Sequence, residues 1–287
     1  MQYKAPETLA EAVDLLSEGG ANARVLAGGS DLLVQMKIGS AAPNLLVDIK
    51  HLPGMREITP EAGGYRIGAA VSGAELGEHD GVRALWPGVV EAVELIGSTQ
   101  VQGRATMVGN LCNASPAADS VPAMVAAGAV ARIAGPNGSR DCPVIDIPTA
   151  PGQTSLGKGE LVTSIFLPTR PERASDAYLR FTPRTEMDIA VCSAGVSLTL
   201  DHSGTCTAAR VALGAVAPTV LLVSEAAEAL IGSRLEDAAL DALSKACSHA
   251  CAPIDDKRGT AEFRSEVAGV LARRAALIAQ KRAGGRK

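Results

Sequence analysis

Aromatic side chains are scarce in this 287-residue sequence: one Trp, three Tyr and three Phe make up 2% of it. A site built from stacked rings, as single-stranded nucleic acid requires, is therefore excluded. An excess of basic charge is also lacking, because 27 Lys and Arg stand against 31 Asp and Glu, a net charge of −4. Phosphate-backbone binding needs a basic surface, so nucleic acid is not an expected partner.

Long apolar runs are missing as well. No uncharged run reaches the ~18 residues that a membrane-spanning helix needs. The N-terminal residues Met1–Glu7 contain no basic segment that leads into an apolar stretch, as a secretory leader would. We therefore expect no membrane span and a cytoplasmic location.

Closely spaced cysteine pairs are absent, although the sequence has six cysteines. None forms the Cys-x-x-Cys pair that zinc and iron–sulfur sites favour, so free thiols in a reducing compartment are expected. Cys247 and Cys251 lie one helical turn apart, but His249 between them points off that face of the helix. Packing of a core helix is the favoured interpretation there, and no metal site is predicted in the chain.

Apolar residues are plentiful, at 47% against 20% charged, so the chain can bury a large core. The first segment alternates helix, strand, helix and strand, which is typical of a small α/β unit. The middle segment, from about 55 to 175, has short elements that include a helix over 84–96 and a hairpin at Gly135–Gly138.

The last third of the chain has strands first and helices afterwards. Three strands are predicted over 177–182, 189–200 and 206–213, followed by helices from about 219, 235 and 260 onward. This order predicts a separate α+β domain, and Pro168–Pro171 is the best candidate for the linker before it.

Two loops concentrate glycine and small polar residues. In the first, Val25–Leu32, Gly28 and Gly29 allow backbone N–H groups to approach a ligand, while Ser30 and the following helix add donors. Such a loop stabilises an anion without a lysine. The alternative interpretation is a tight strand-to-helix turn that needs glycine only for its positive φ.

The second loop is Thr106–Asp119, with hydroxyl and amide side chains at 106, 110, 113 and 115. Burying so many polar groups is costly unless a ligand with many acceptors, such as a dinucleotide, bonds to them. Asp119 is suited to accept from ligand hydroxyls. The alternative is an irregular surface loop whose Asn and Ser residues cap the helix near 119.

Other phosphate-binding and catalytic motifs are not supported. Gly152–Gly159 resembles a P-loop, but it has glycine where Ser or Thr must hold magnesium, and it precedes a strand. No Gly-x-Gly-x-x-Gly fingerprint occurs, so a Rossmann site is not predicted. None of the four histidines lies in a recognisable nucleophile motif with Ser or Cys, so hydrolase chemistry is only weakly supported.

Together the two loops resemble the FAD-binding medium subunit of the molybdenum hydroxylases, the family of xanthine dehydrogenase and aerobic carbon monoxide dehydrogenase. The residues that carry the resemblance are Ala27–Leu33 and, some eighty residues later, Thr106–Asp119. Glu186–Ala190 also resembles the start of that family's C-terminal domain. Because the three motifs occur in this order and spacing, the resemblance covers essentially the whole chain.

The resemblance implies an α+β fold with a vanillyl-alcohol-oxidase-type (PCMH-like) FAD-binding domain of two α/β subdomains. A C-terminal domain of the CO dehydrogenase flavoprotein type would follow, with a three-stranded antiparallel sheet and a helical bundle. The expected boundaries are 1–54 for the first subdomain, 55–170 for the second and 176–283 for the C-terminal domain.

The resemblance also implies which residues contact FAD. The first loop would wrap the pyrophosphate, the second would continue that cradle, and Arg180 would approach the isoalloxazine. The implied cofactor-binding residues are Val25, Leu26, Ala27, Gly28, Gly29, Ser30, Asp31, Leu32, Ile96, Thr106, Val108, Gly109, Asn110, Asp119, Val162 and Arg180. Val108 stands where the family usually has glycine, so its side chain is expected to interfere with one close backbone contact.

The implied function is electron transfer in a heteromeric molybdenum hydroxylase. A large molybdopterin-binding subunit would oxidise the substrate, a small subunit with two 2Fe–2S clusters would carry the electrons, and this chain would pass them to NAD⁺, oxygen or another acceptor. A dimer of heterotrimers is the expected assembly, and no catalytic acid–base pair is expected in this chain. Two alternatives remain: a standalone FAD-dependent oxidase, and an assembly subunit that has lost its cofactor.

Overall fold

Three parallel strands form the sheet of the N-terminal segment, in the spatial order β1-β3-β2. The computed structural model describes residues 1–284. The strands and helices of this segment are β1 (Gln2–Lys4), α1 (Leu9–Gly19), β2 (Ala23–Leu26), α2 (Leu32–Lys37) and β3 (Leu45–Asp48). The predicted alternation is confirmed, with β1 as an additional edge strand. The loop from β2 to α2 leaves the carboxyl edge of this sheet, where ligands of parallel sheets bind.

The middle segment contains a five-stranded antiparallel sheet in the order β4-β5-β10-β6-β7 and a two-stranded sheet, β8-β9. Its strands are β4 (Ile58–Glu61), β5 (Gly64–Gly68), β6 (Val130–Gly135), β7 (Gly138–Pro143), β8 (Pro148–Ala150), β9 (Gln153–Thr154) and β10 (Leu161–Leu167). Its helices are α3 (Gly73–Gly77), α4 (Asp80–Leu85), α5 (Pro87–Val93), α6 (Thr99–Gln102), α7 (Met107–Cys112) and α8 (Ser120–Ala126).

Local sequence signals determine two features of this segment. The predicted hairpin is confirmed, because β6 and β7 pair up to Gly135 and Gly138. The single helix predicted over 84–96 is wrong: α4 ends at Leu85, and α5 begins with Pro87 as its first residue. Proline disfavours helical backbone at the residue before it and suits the first position of a helix, so the chain breaks there.

The C-terminal segment has a four-stranded antiparallel sheet, not the expected three-stranded one. Its elements are β11 (Ala174–Phe181), β12 (Cys192–Leu200), β13 (Cys206–Gly214), β14 (Leu221–Leu222), α9 (Ser224–Glu228), α10 (Asp237–Ala250) and α11 (Ala261–Ala283). The fourth strand comes from the stretch predicted to begin a helix near 219. Leu221 and Leu222 extend to pair with β13, and helix α9 begins only at Ser224.

The C-terminal sheet packs between two helical layers. Helix α11 lies against β11 and β12, and α8 of the middle segment lies against β12 and β13. At Gly195 the two backbones are so close that a Cβ would lie 2.8 Å from the carbonyl oxygen of Pro122. The middle and C-terminal segments therefore share a tight interface. No helix of residues 1–284 is long and apolar enough to cross a membrane.

A buried ion pair lies where the middle segment passes into β11. Asp176, 2% exposed, accepts from Arg170 Nη1 at 3.2 Å and from the Val89 backbone N–H at 3.1 Å. The Arg170 guanidinium also lies over the ring of Trp86, 5.4 Å from its centroid. These contacts attach the start of the C-terminal sheet to the N-terminal turn of α5.

Candidate functional site

A cavity of about 870 Å³ lies between the N-terminal and middle segments. Its volume is within the range of about 300–1,000 Å³ that ligand pockets usually have. Both glycine-rich loops line it, so the structure brings together two stretches some eighty residues apart. The predicted site residues among its walls are Val25, Ala27, Gly28, Gly29, Ser30, Asp31, Leu32, Ile96, Thr106, Val108, Gly109, Asn110 and Val162.

The first loop presents unpartnered backbone donors to this cavity. The N–H groups of residues 28–31 donate to no other group of residues 1–284. Gly29 has a φ of +73°, and Gly28 packs so closely on the turn just before the second loop that a Cβ would lie 1.9 Å from the Arg104 carbonyl oxygen. These residues are half-buried or exposed, and backbone N–H groups that lack a protein acceptor at a cavity wall favour an anion there, so this loop fits an anionic ligand.

The second loop is held in place by its own side chains. The Thr106 hydroxyl caps α7 by accepting from the Gly109 N–H at 2.8 Å. Asn110 Oδ1 accepts from the backbone N–H and the hydroxyl of Ser120, at 3.1 and 2.7 Å. The amide NH₂ of Asn110 donates to no group of the part of the chain described, so it is available to a ligand.

Val108 lies in the first turn of α7, 5% exposed and packed in the main core. Its backbone is helical, which any residue adopts, so the valine introduces no backbone strain at the position where the family usually has glycine.

Three predicted site residues do not line the cavity: Leu26, Asp119 and Arg180. The Asp119 carboxylate accepts from Arg180 Nη1 at 2.6 Å and from the Tyr178 hydroxyl at 2.9 Å. Asp119 precedes α8, whereas both of its donors lie on β11. The contact therefore joins the second loop to the C-terminal sheet.

Burial raises the pKa of Asp119 to about 6, against the opposing effects of the Arg180 charge and of the hydrogen bonds from Tyr178 and Arg180. The carboxyl is still mostly ionised at neutral pH and so pairs with Arg180. Burial also raises the pKa of Tyr178 well above its ordinary value, which keeps the phenol protonated as a donor.

Sequence reasoning missed part of the wall. Gly157, Lys158 and Gly159 line the cavity, although they match neither a P-loop nor a Rossmann fingerprint. Arg24 and Gln35 also line it, and Gln35 Nε2 donates to Asn113 Oδ1 at 2.9 Å, which joins helix α2 to the second loop. The one sequence feature that could have indicated a ligand contact at residues 157–159 is their glycine-rich turn before a strand.

The walls combine polar backbone with aliphatic side chains and include no aromatic residue among those described. Apolar contacts come from Leu16, Ile49 and Leu161, among others. Cys112 also lines the cavity, and burial raises the pKa of its thiol to about 12, so the sulfur is a neutral group there. These walls suit a ligand with a negatively charged middle and extended apolar ring systems, such as FAD.

Two protein families match consecutive parts of the chain. Residues 1–170 match the FAD-binding domain in molybdopterin dehydrogenase, and residues 177–279 match the CO dehydrogenase flavoprotein C-terminal domain.

Individual relatives match over nearly their whole length. The carbon monoxide dehydrogenase medium chain of Afipia carboxidovorans is 35% identical, and the match covers 98% of this chain and 97% of that one. The xanthine dehydrogenase FAD-binding subunit of Escherichia coli O157:H7 is 30% identical, with 99% and 97% covered.

Solved structures have the same fold. A chain of the Cu,Mo-CO dehydrogenase in its cyanide-inactivated form superposes with a TM-score of 0.94 at 35% identity, over 98% of each chain. A chain of quinoline 2-oxidoreductase from Pseudomonas putida 86 gives 0.91 at 26% identity, over 99% of this chain and 98% of that one.

Proposed function

Because the chain belongs to the family of FAD-binding medium subunits of molybdenum hydroxylases, we propose that it relays electrons from the 2Fe–2S clusters of a partner subunit to NAD⁺, oxygen or another acceptor. The observation that carries this proposal is the cavity, into which both glycine-rich loops face with unpartnered amides in the first of them. Bound FAD supplies the redox chemistry. The protein's own residues bind and orient it and adjust the charge around it.

The proposed roles follow from the two loops. Residues 25–32, including Leu26, and residues 106–110 hold the diphosphate, with backbone N–H groups in place of lysine. Ile96 and Val162 contribute apolar surface to the same cavity. Asp119 and Arg180 contribute charge and hydrogen bonds on the side of the C-terminal sheet, and the Arg180 guanidinium stabilises negative charge on the reduced cofactor.

The proposed assembly contains a small 2Fe–2S subunit and a large molybdopterin-binding subunit, in a dimer of heterotrimers. Within this chain, residues 1–54 and 55–170 act as the two FAD subdomains and residues 176–283 as the C-terminal domain. The names of the relatives support this proposal, since they are medium chains or FAD-binding subunits of larger enzymes.

The proposal is tested by expressing the chain alone. We expect a yellow protein with bound FAD that oxidises none of carbon monoxide, a purine, an aldehyde or an N-heterocycle until its co-purifying partners are added. Turnover of a substrate by the isolated chain would instead identify a standalone oxidase. A colourless protein that does not take up added FAD would identify an assembly subunit without cofactor.

Arg180→Ala is expected to slow reoxidation of the reduced cofactor by roughly 10- to 100-fold and to leave FAD occupancy largely unchanged. The substitution removes the partner of Asp119, but that carboxyl can accept a proton and stay neutral, so the fold is retained. Stopped-flow absorbance follows the reoxidation, and the absorbance spectrum of the purified protein gives the occupancy.

Arg184→Ala is the matched control, because Arg184 is 68% exposed in its side chain and lies only four residues away. It should reoxidise at the wild-type rate. Complete loss of FAD from Arg180→Ala would assign Arg180 to cofactor retention and contradict the electrostatic role.

A further inference from the structure

Behind the first glycine-rich loop lies a lysine that does not line the cavity. The Lys50 ammonium donates to the backbone carbonyl of Ala27 at 3.3 Å and to Asp48 Oδ2 at 2.7 Å. Ala27 itself is part of the cavity wall. Lys50 therefore contacts the loop outside the cavity lining.

The position of Lys50 is itself fixed by a buried carboxylate. Asp48, 2% exposed at the end of β3, accepts from the Tyr3 hydroxyl at 2.6 Å and from the Lys50 backbone N–H at 3.0 Å, in addition to the ammonium. These bonds outweigh the effect of burial and lower the pKa of Asp48, so it is a stable anion. Tyr3, Asp48 and Ala27 belong to or directly follow the three parallel strands.

This arrangement determines where the loop amides point. In a trans peptide the C=O and the next N–H point in opposite directions, and no cis peptide occurs in the described chain. Because the Ala27 carbonyl points towards Lys50, the Gly28 N–H points away from it. That N–H is the first of the four loop amides without a partner.

We propose that Lys50 is a positioning residue for the cofactor: it orients the peptide between Ala27 and Gly28 and places a positive charge behind the loop that holds the diphosphate. The inference rests on FAD occupying the cavity. Arg24 cannot substitute for it, because the Arg24 guanidinium is bonded to the carbonyls of Ala21 and Ala23.

The test measures the affinity of the full-length apoprotein for FAD and for ADP, which contains the diphosphate but no flavin. We expect Lys50→Met to raise both dissociation constants by about tenfold, since one charged hydrogen bond is lost. Lys50→Arg should recover most of the affinity. Lys4→Met is the matched control, because Lys4 lies in β1 at the same sheet and is exposed; its affinities should stay within about twofold of wild type.

Three results would overturn the inference. The first is that Lys50→Met binds FAD as tightly as the wild type does. The second is that Lys50→Met binds FAD more weakly but binds ADP with unchanged affinity. The third is a lower thermal midpoint of the Lys50→Met apoprotein than of Lys4→Met, with no recovery in Lys50→Arg, which would assign Lys50 to folding alone. If the wild-type apoprotein itself does not bind FAD, the proposed function is refuted too. The affinity of the wild-type protein therefore distinguishes the two failures.

Discussion

Gly28→Ala is expected to yield a protein without FAD. The added Cβ would lie 1.9 Å from the Arg104 carbonyl oxygen and 2.7 Å from its carbon, so the first loop must move away from the turn that precedes the second. The neighbour is backbone, which cannot rotate aside as a side chain can. The absorbance spectrum of the purified variant measures the loss, and circular dichroism checks that the fold is retained.

Gly103→Ala is the matched control for this substitution. Gly103 also has a negative φ, and its Cβ would meet only the Gln100 carbonyl oxygen, at an ordinary 3.6 Å. This variant should bind FAD like the wild type. Full FAD occupancy in Gly28→Ala would show that the first loop can move away from Arg104 without losing the cofactor, and would contradict the prediction.

Asp176→Ala is expected to destabilise the protein by about 3–5 kcal/mol, because it leaves the Arg170 guanidinium, whose side chain is only 13% exposed, without its carboxylate partner. It also removes the acceptor of the Val89 N–H at the start of α5. Burial raises the pKa of Asp176 to about 6, so the carboxylate form that pairs with Arg170 predominates at neutral pH. Urea unfolding at neutral pH measures the change in the free energy of unfolding.

Asp141→Ala is the control for an exposed ion pair. Asp141 pairs with Arg132 on the β6–β7 hairpin, where the two side chains are 49% and 41% exposed. Exposed pairs contribute less than about 1 kcal/mol, so this variant should unfold close to wild type. If Asp176→Ala and Asp141→Ala lowered the free energy of unfolding equally, the Asp176–Arg170 pair would contribute no more than an exposed pair. If Asp176→Ala does not fold, Asp176→Asn, which keeps an acceptor for Val89, should give a smaller, measurable loss.

The two loops could be predicted because their signals are local. Two adjacent glycines indicate a tight turn from the sequence alone, and the positive φ of Gly29 confirms it. The capping of α7 by Thr106 was not predicted, although a threonine just before a helix is an equally local signal. The break at Pro87 was equally local and could have been predicted from the proline alone. Features that depend only on neighbouring residues can thus be predicted from the sequence.

Contacts between distant segments could not be predicted. Tyr178 and Arg180 are 59 and 61 residues from Asp119, and no property of either residue alone indicates that they meet it. Lys50 is 23 residues from the loop carbonyl that it contacts. The short strand β14 likewise depends on the edge that β13 offers, which overrides the local preference of the chain.

The cavity lining and the residues that bind Asp119 lie in different parts of the chain, which affects the order in which they are synthesised. All residues that line the cavity lie between Leu16 and Val162, whereas the donors that hold Asp119 lie on β11. Since a chain emerges from the ribosome N-terminus first, every residue of the cavity wall is synthesised before β11. The Asp119–Arg180 ion pair, which joins the second loop to β11, therefore forms only after the whole cavity lining has been made.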